Sequence, residues 1–304
     1  MVKYNLIIPV AFKDYLFLKK TIRYIEQNLS PNKIFILTNK EMSCCIPFDV
    51  CNNKRCMILD EDRIIPDLDY QTVRTMLECH FKVPVNVGWY YQQLLKIGFA
   101  LCKECDTEYY LSWDADTLPI RQISFFNSDG HPYFTMKSEH HSSYFETIEK
   151  LFGFATFNKE SYIAEHMMFK KEVVRELIGR IEQSSVEGGL WIEKIIHAVS
   201  PNEPIGFSEF ETYGNYSMYY HPDLYEQRQL SGFRYGGFIS GRYIHDKILK
   251  TLSFDLSMVS FETYHVPPFP WNLFSWLYDF YLKKILYKKY QMRQRMKWKK
   301  EKTD

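Results

Sequence analysis

Glu108-Tyr109-Tyr110-Leu111-Ser112-Trp113 runs directly into Asp114-Ala115-Asp116, and the fold is read outward from this junction. An aromatic and apolar run of strand length, closed abruptly by polar residues, predicts a buried strand. Shorter runs upstream have the same character: residues 4–10 (YNLIIPV), 33–38 (KIFILT) and 56–59 (CMIL). Between the first two, residues 15–29 place apolar side chains at 15, 16, 18, 22, 25 and 29, which is helical spacing. Residues 88–103 repeat it, with Trp89, Tyr90, Leu94, Ile97 and Leu101 as the packing side. Strands alternating with helices predict an α/β fold whose sheet has parallel members and is flanked by helices.

Ligand sites in open α/β sheets lie just beyond the carboxyl ends of strands, which is where Asp114 and Asp116 fall. Read as an extended segment, two residues one apart point the same way, so both carboxylates reach one cation. Such a pair holds Mg²⁺ or Mn²⁺ through hard oxygen ligands and leaves coordination positions for a diphosphate. The bare pattern also occurs in solvated loops and helix caps. The strand before it, Trp113 and the preceding α/β units favour the metal reading.

Downstream, a strand is expected at 133–137 and helices at 144–152, 169–181 and 188–199. The aromatic, acidic stretch 207–220 (FSEFETYGNYSMYY) reads as a site-lining turn. Residues 232–241, with four Gly, read as a mobile loop, and MVSFETY as a strand before His265. No internal repeat appears.

The segments GWYYQQLLKIGFA, YYLSWDADTLPIRQISFF, SYIAEHMMFKKEVVREL and FSEFETYGNY, in that order after an N-terminal IIPV, resemble a bacterial glycosyltransferase-like family catalogued as a domain of unknown function. The layout resembles the GT-A glycosyltransferases, over roughly residues 1–225. That resemblance implies a GT-A-like (Rossmann-like) mixed sheet with a nucleotide-sugar-binding half at 1–120 and an acceptor half at 121–265. It implies a nucleotide-sugar donor, UDP-sugar foremost, and Mn²⁺ or Mg²⁺. Asp114 and Asp116 match the DxD, with Asp116 the surer metal ligand and Asp114 shared between metal and donor. Pro9, Val10 and Asp14 follow the first strand as donor-site candidates. Gln92, Gln93 and Lys96 share one helix side and are donor contacts or a solvated polar face. Glu165 and His166 fall where GT-A enzymes place the loop under the donor sugar, and Glu165 stands where the family commonly has His. Glu209 and Glu211 are the candidate bases for an inverting transfer, where alternate residues of an extended segment share a face; one of them is otherwise a partner of Arg234 or Arg242. His265 is the candidate third metal ligand, with His245 and His221 as alternatives. Sugar nucleotidyl transfer and a non-catalytic membrane scaffold are the competing readings.

The chain of 304 residues has a formal net charge of +1, yet residues 281–304 hold ten Lys and Arg against Glu301 and Asp304. The body is therefore acidic and the tail basic. Within 266–304, Asn272, Ser275, Asp279 and Lys283 form a polar stripe on a helix otherwise covered by Trp, Phe, Tyr and Leu. Aromatic bulk followed by Lys and Arg is the composition of an amphipathic helix lying in an anionic membrane interface. The bland alternative is a helix packed on the body with a solvated basic end. The acidic body and the absence of a recognition motif speak against nucleic acid. No run reaches the ~18 apolar residues of a membrane span, and seven clustered cysteines, an odd number, suit a reducing cytoplasm. The expected location is therefore cytoplasmic, at the inner face of the plasma membrane, with a cell-surface glycan or lipid-linked acceptor. Cys102 and Cys105 form a lone CxxC, read as small residues near a helix end rather than as a zinc or redox site.

Overall fold

The computed structural model describes residues 2–154 and 160–301, and their side chains except at 282 and 293–301. Its elements are, in chain order, β1 (Tyr4–Pro9), α1 (Tyr15–Asn28), β2 (Ile34–Thr38), α2 (Phe48–Cys51), β3 (Cys56–Asp60), α3 (Tyr70–His80), α4 (Val87–Gly98), β4 (Tyr109–Trp113), β5 (Thr117–Pro119), β6 (Tyr133–Thr135), α5 (Ser142–Phe152), β7 (His166–Lys170), α6 (Lys171–Gln183), α7 (Trp191–Ala198), α8 (Glu209–Tyr220), β8 (Glu226–Arg228), β9 (Gly232–Phe233), α9 (Gly237–Ser240), α10 (Asp246–Leu252), β10 (Met258–Ser260) and α11 (Trp271–Glu301). The principal sheet has the order β3-β2-β1-β4-β7, with β1 parallel to β4 and β2 parallel to β3. A small sheet β5-β10-β9 pairs β10 antiparallel to β5 and parallel to β9, so the architecture is mixed α/β, as expected.

Two compact units divide the chain discontinuously. The first comprises Met1–Ile7, Glu61–Ser112 and Phe125–Gln229; the second Ile8–Asp60, Trp113–Ser124 and Leu230–Asp304. In the first, the all-buried β4 presents Tyr110, whose ring stacks on Phe169 at 5.1 Å, while Phe134 stacks on Tyr225 at 3.7 Å. In the second, Phe17 and Tyr24 of α1 bury against Leu118, Ile120, Ile244, Leu249, Val259 and Phe261.

Several local expectations are corrected. Residues 207–220 are not a turn: α8 spans most of them, because Ser208 accepts a hydrogen bond from the Glu211 amide at 3.3 Å and caps the helix. The helix expected at 169–181 begins at Lys171, its first residues completing the buried strand β7. The glycine-rich 232–241 is built into β9 and α9.

In the second unit, α11 turns its sides unexpectedly. Ser275 lies against Gly241, Tyr278 packs on Tyr243 at 5.3 Å, and the Cys45 thiol donates to the Leu286 carbonyl at 3.3 Å. Ser275 and Asp279, two members of the polar stripe, thus lie on the less exposed side, whereas Trp276, Leu277, Phe280 and Tyr281 are exposed. Among the described residues no helix is long and apolar enough to cross a membrane. The side chains of the basic residues 293, 295, 297, 299, 300 and 302 lie outside the described residues.

Candidate active site

The strand order reverses between β1 and β4, whose carboxyl ends lie side by side, and such a switch point is where open α/β sheets bind ligands. Both chain segments leaving it belong to the second unit. After β1, the buried Pro9 and Val10 are tied down: the Val10 amide donates to Leu37 O at 2.9 Å and the Thr38 hydroxyl donates to Val10 O at 2.9 Å. A single helical turn, Phe12–Asp14, then brings in Asp14, which is buried.

After β4, Asp114-Ala115-Asp116 is a tight turn into β5, not an extended segment; the Thr117 amide donates to Asp114 O at 3.2 Å. It is pinned by the Thr21 hydroxyl of α1, which donates to Ala115 O at 2.7 Å, by the Trp113 indole, which donates to Thr117 O at 2.8 Å, and by the Phe261 amide, which donates to Asp116 O at 2.9 Å.

The buried guanidinium of Arg242 organises this corner. It donates to Phe261 O at 3.1 Å, to Lys13 O at 2.9 Å and to the Asp14 carboxylate at 2.5 Å, and it lies 4.0 Å from that of Asp116. The sequence suggests Arg242 or Arg234 as a partner of Glu209 or Glu211; instead Arg242 serves Asp14, and Arg234 lies 3.7 Å from Glu262. Only one cation therefore directly faces Asp116 among the described residues. Burial, and then the negative charges of Asp114 and Asp14, push the Asp116 carboxyl up to about 7, against the pull of Arg242.

Asp14, Asp114 and Asp116 are thus brought together, and a cation would relieve their repulsion. The Asp114–Asp116 pair fits Mg²⁺ or Mn²⁺, which are commonly held by one or two carboxylates with water and substrate phosphate completing the shell. His265 does not join them: among the described residues no three His, Cys, Asp or Glu side chains form a ready metal site. Its ring is enclosed by those of Phe238, Tyr264 and Tyr235, and its Nδ1 is buried without a hydrogen-bond partner. The alternatives are occupied: His221 bonds Glu176 at 2.8 Å, and His245 caps α10 by accepting from the Lys247 amide at 3.1 Å.

The other expected site residues form clusters within the first unit. Lys96 and Gln93 are buried rather than solvated. The Lys96 ammonium donates to Glu209 at 2.8 Å over the Phe210 ring, and Gln93 accepts from the Glu209 amide at 3.1 Å; Gln92 is half-buried. Glu211 is buried and accepts from the Ser161 hydroxyl at 2.6 Å, the Tyr162 amide at 3.1 Å and Asn215 at 2.9 Å; burial raises its pKa against these bonds. On a helix, residues two apart point to different sides, so Glu209 and Glu211 do not present a shared carboxylate face. His166 is buried on β7 with Nε2 2.9 Å from the Thr135 hydroxyl, and burial holds its pKa well below the usual imidazole range. Glu165 is buried 3.7 Å from Lys137.

Residues 14–231 match the model of a family described as a family of unknown function, DUF6492. The chain belongs to that family. No curated protein matches this DUF6492 member. Among solved structures, mouse xyloside xylosyltransferase 1 in its apo form is similar with a TM-score of 0.45 and 9 % identity, over 88 % of this chain and 100 % of that one. An active-site mutant of LgtC gives 0.39 and 10 % over 90 % and 94 %, respectively. The apo bifunctional glycosyltransferase WbbM gives 0.39 and 10 % over 85 % of this chain and 45 % of that one.

Proposed function

We propose that this protein is a glycosyltransferase that moves a sugar from a nucleotide-sugar donor, UDP-sugar foremost, to a glycan or lipid-linked acceptor. The observation that carries the reading is the cluster of Asp14, Asp114 and Asp116 at the β1/β4 switch point, with the Asp116 carboxyl raised to about 7. In the transfer, the bond from the anomeric carbon to the diphosphate oxygen breaks, a bond from that carbon to an acceptor hydroxyl oxygen forms, and the hydroxyl proton passes to the released diphosphate or to solvent. Asp114 and Asp116 would hold Mg²⁺ or Mn²⁺, which when bound supplies charge neutralisation for the leaving diphosphate. Arg242 fixes Asp14 and the Phe261 carbonyl, so the turn is held in shape before substrate arrives.

The same reading places the protein at the cytoplasmic face of an anionic membrane. Support comes from α11, where Trp276 and Phe280 are more than half exposed and stack on each other at 5.4 Å, with Lys283, Lys284, Lys288 and Lys289 exposed in the following turns. Aromatic rings with a basic fringe suit the headgroup region.

Isothermal titration of UDP-, GDP- and CMP-sugars in the presence of Mn²⁺ tests the catalytic reading. One donor class binds and Asp116→Asn abolishes that binding. Silence from every donor, or unchanged binding in the variant, would overturn it.

A further inference from the structure

Beside the carboxylate turn, the second unit leaves three large aromatic side chains open to water: Tyr235 is 56 % exposed, Phe238 47 % and Tyr264 69 %. They are gathered, not scattered. All three rings pack on His265, with centroids 5.5, 4.4 and 4.7 Å from its own, and His265 itself is buried beneath them. Two glycines make the assembly possible. A Cβ on Gly236 would lie 2.4 Å from Val259 and 2.7 Å from the Ser260 carbonyl, and one on Gly237 would lie 2.6 Å from the His265 Cβ. Any side chain at either position would lift the Tyr235–Phe238 turn off β10.

This shelf is continuous with the carboxylate turn. Tyr235 bridges Phe261, whose amide donates to Asp116 O. Tyr264 lies close enough to Glu262 to feel its negative charge, and Glu262 faces Arg234 at 3.7 Å. Flat apolar faces are thus edged by a carboxylate, a guanidinium and a phenol. A lipid tail would meet charge at that edge. A pyranose suits both parts: its C–H faces lie on the electron-rich faces of aromatic rings, and its equatorial hydroxyls meet planar charged groups able to donate or accept. The openness of the rings suits a long glycan that continues into solvent.

We infer that Tyr235, Phe238 and Tyr264 form a stacking subsite for a hexopyranose ring of the acceptor, with Glu262 and Arg234 at its hydroxyl edge. The acceptor assignment rests on the glycosyl-transfer reading; the affinity for a pyranose does not.

Saturation-transfer NMR on the full chain, without donor, tests it with methyl β-D-galactopyranoside, methyl α-D-glucopyranoside and methyl α-D-mannopyranoside as probes. At least one probe receives saturation through its ring C–H protons, and Tyr235→Leu and Phe238→Leu each weaken its binding by roughly two- to tenfold. Matching thermal melts establish that the Leu variants are folded. Failure of all three probes in the tens of millimolar range, or binding indifferent to both replacements, overturns the inference. Displacement of the probe by uridine alone also overturns it, by making the shelf a base subsite. Probe binding without any donor binding would retain the shelf and sink the transferase reading; donor binding without probe binding would do the reverse.

Discussion

Replacing Asp116 by Asn in the metal-free protein should stabilise it at neutral pH and leave it unchanged in acid. Burial and the neighbouring Asp114 and Asp14 raise the folded-state pKa of Asp116 from 3.8 to about 7. A carboxyl raised in this way holds its proton in the folded state over a range where the unfolded chain has released it. Folding therefore takes up a proton between pH 4 and 7, and stability falls as pH rises through that window. About three pH units at 1.36 kcal/mol each set a ceiling of ~4 kcal/mol. Since 21 % of the side chain remains exposed, solvent relaxation brings this to about 2–4 kcal/mol. The Asp116→Asn variant has no titrating group at this position, so its advantage should be absent near pH 4, grow through pH 5–7 and level off above. Urea unfolding in EDTA, followed by circular dichroism at half-unit pH steps, reads the difference directly. Mn²⁺ should then raise wild-type stability selectively, by ~2.7 kcal/mol at a hundredfold excess over Kd. Parallel pH profiles for the two proteins, or a variant less stable than wild type at pH 8, would refute the assignment of Asp116 as a carboxyl raised by burial and by the charges of Asp114 and Asp14.

Arg242→Ala removes the guanidinium from buried Asp14 and should cost about 3–5 kcal/mol in urea unfolding; Arg242→Lys should recover only part, since one ammonium cannot reach Phe261 O, Lys13 O and Asp14 together. Lys96→Met should cost a similar 3–5 kcal/mol, roughly, by leaving Glu209 buried and unpaired, and the double variant Lys96→Met/Glu209→Gln should restore most of it; additive losses would show that the pair is not coupled. Full-length protein should co-sediment with phosphatidylglycerol vesicles at low salt and release at high salt, and Trp276→Ser/Phe280→Ser should weaken the binding at unchanged thermal stability. Failure of the wild type to bind would return α11 to a helix packed on the body with a solvated basic end.

Local pattern made much of the framework legible. The strands of residues 33–38, 56–59 and 108–113 and the helices of 15–29 and 144–152 match observed elements to within a residue or two, because buried strands and amphipathic helices write their periodicity into consecutive residues. Two elements carry signals that hydrophobic pattern does not capture. Ser208 followed by Glu211 is a helix-capping pair that outweighs the aromatic crowding of residues 207–220, and Asp69 followed by Thr72 caps α3, a helix the periodicity did not predict. Arg242 carries no such signal. Its partner Asp14 lies 228 positions away in sequence, and nothing near residue 242 records it.

The sequence by itself determined the α/β class, the strand leading into Asp114-Ala115-Asp116 and the separation of an acidic body from a basic tail, since each is a property of neighbouring residues. Only the tertiary structure decided what those residues face. It made the Asp pair a tight turn, gave Arg242 to Asp14, buried Glu209 on Lys96, enclosed His265 in aromatic rings, and turned Trp276, Leu277, Phe280 and Tyr281 of α11 outward. These are relations between distant segments, set by which groups lose water together, and charge, burial and pKa follow from that and not from the order of residues along the chain.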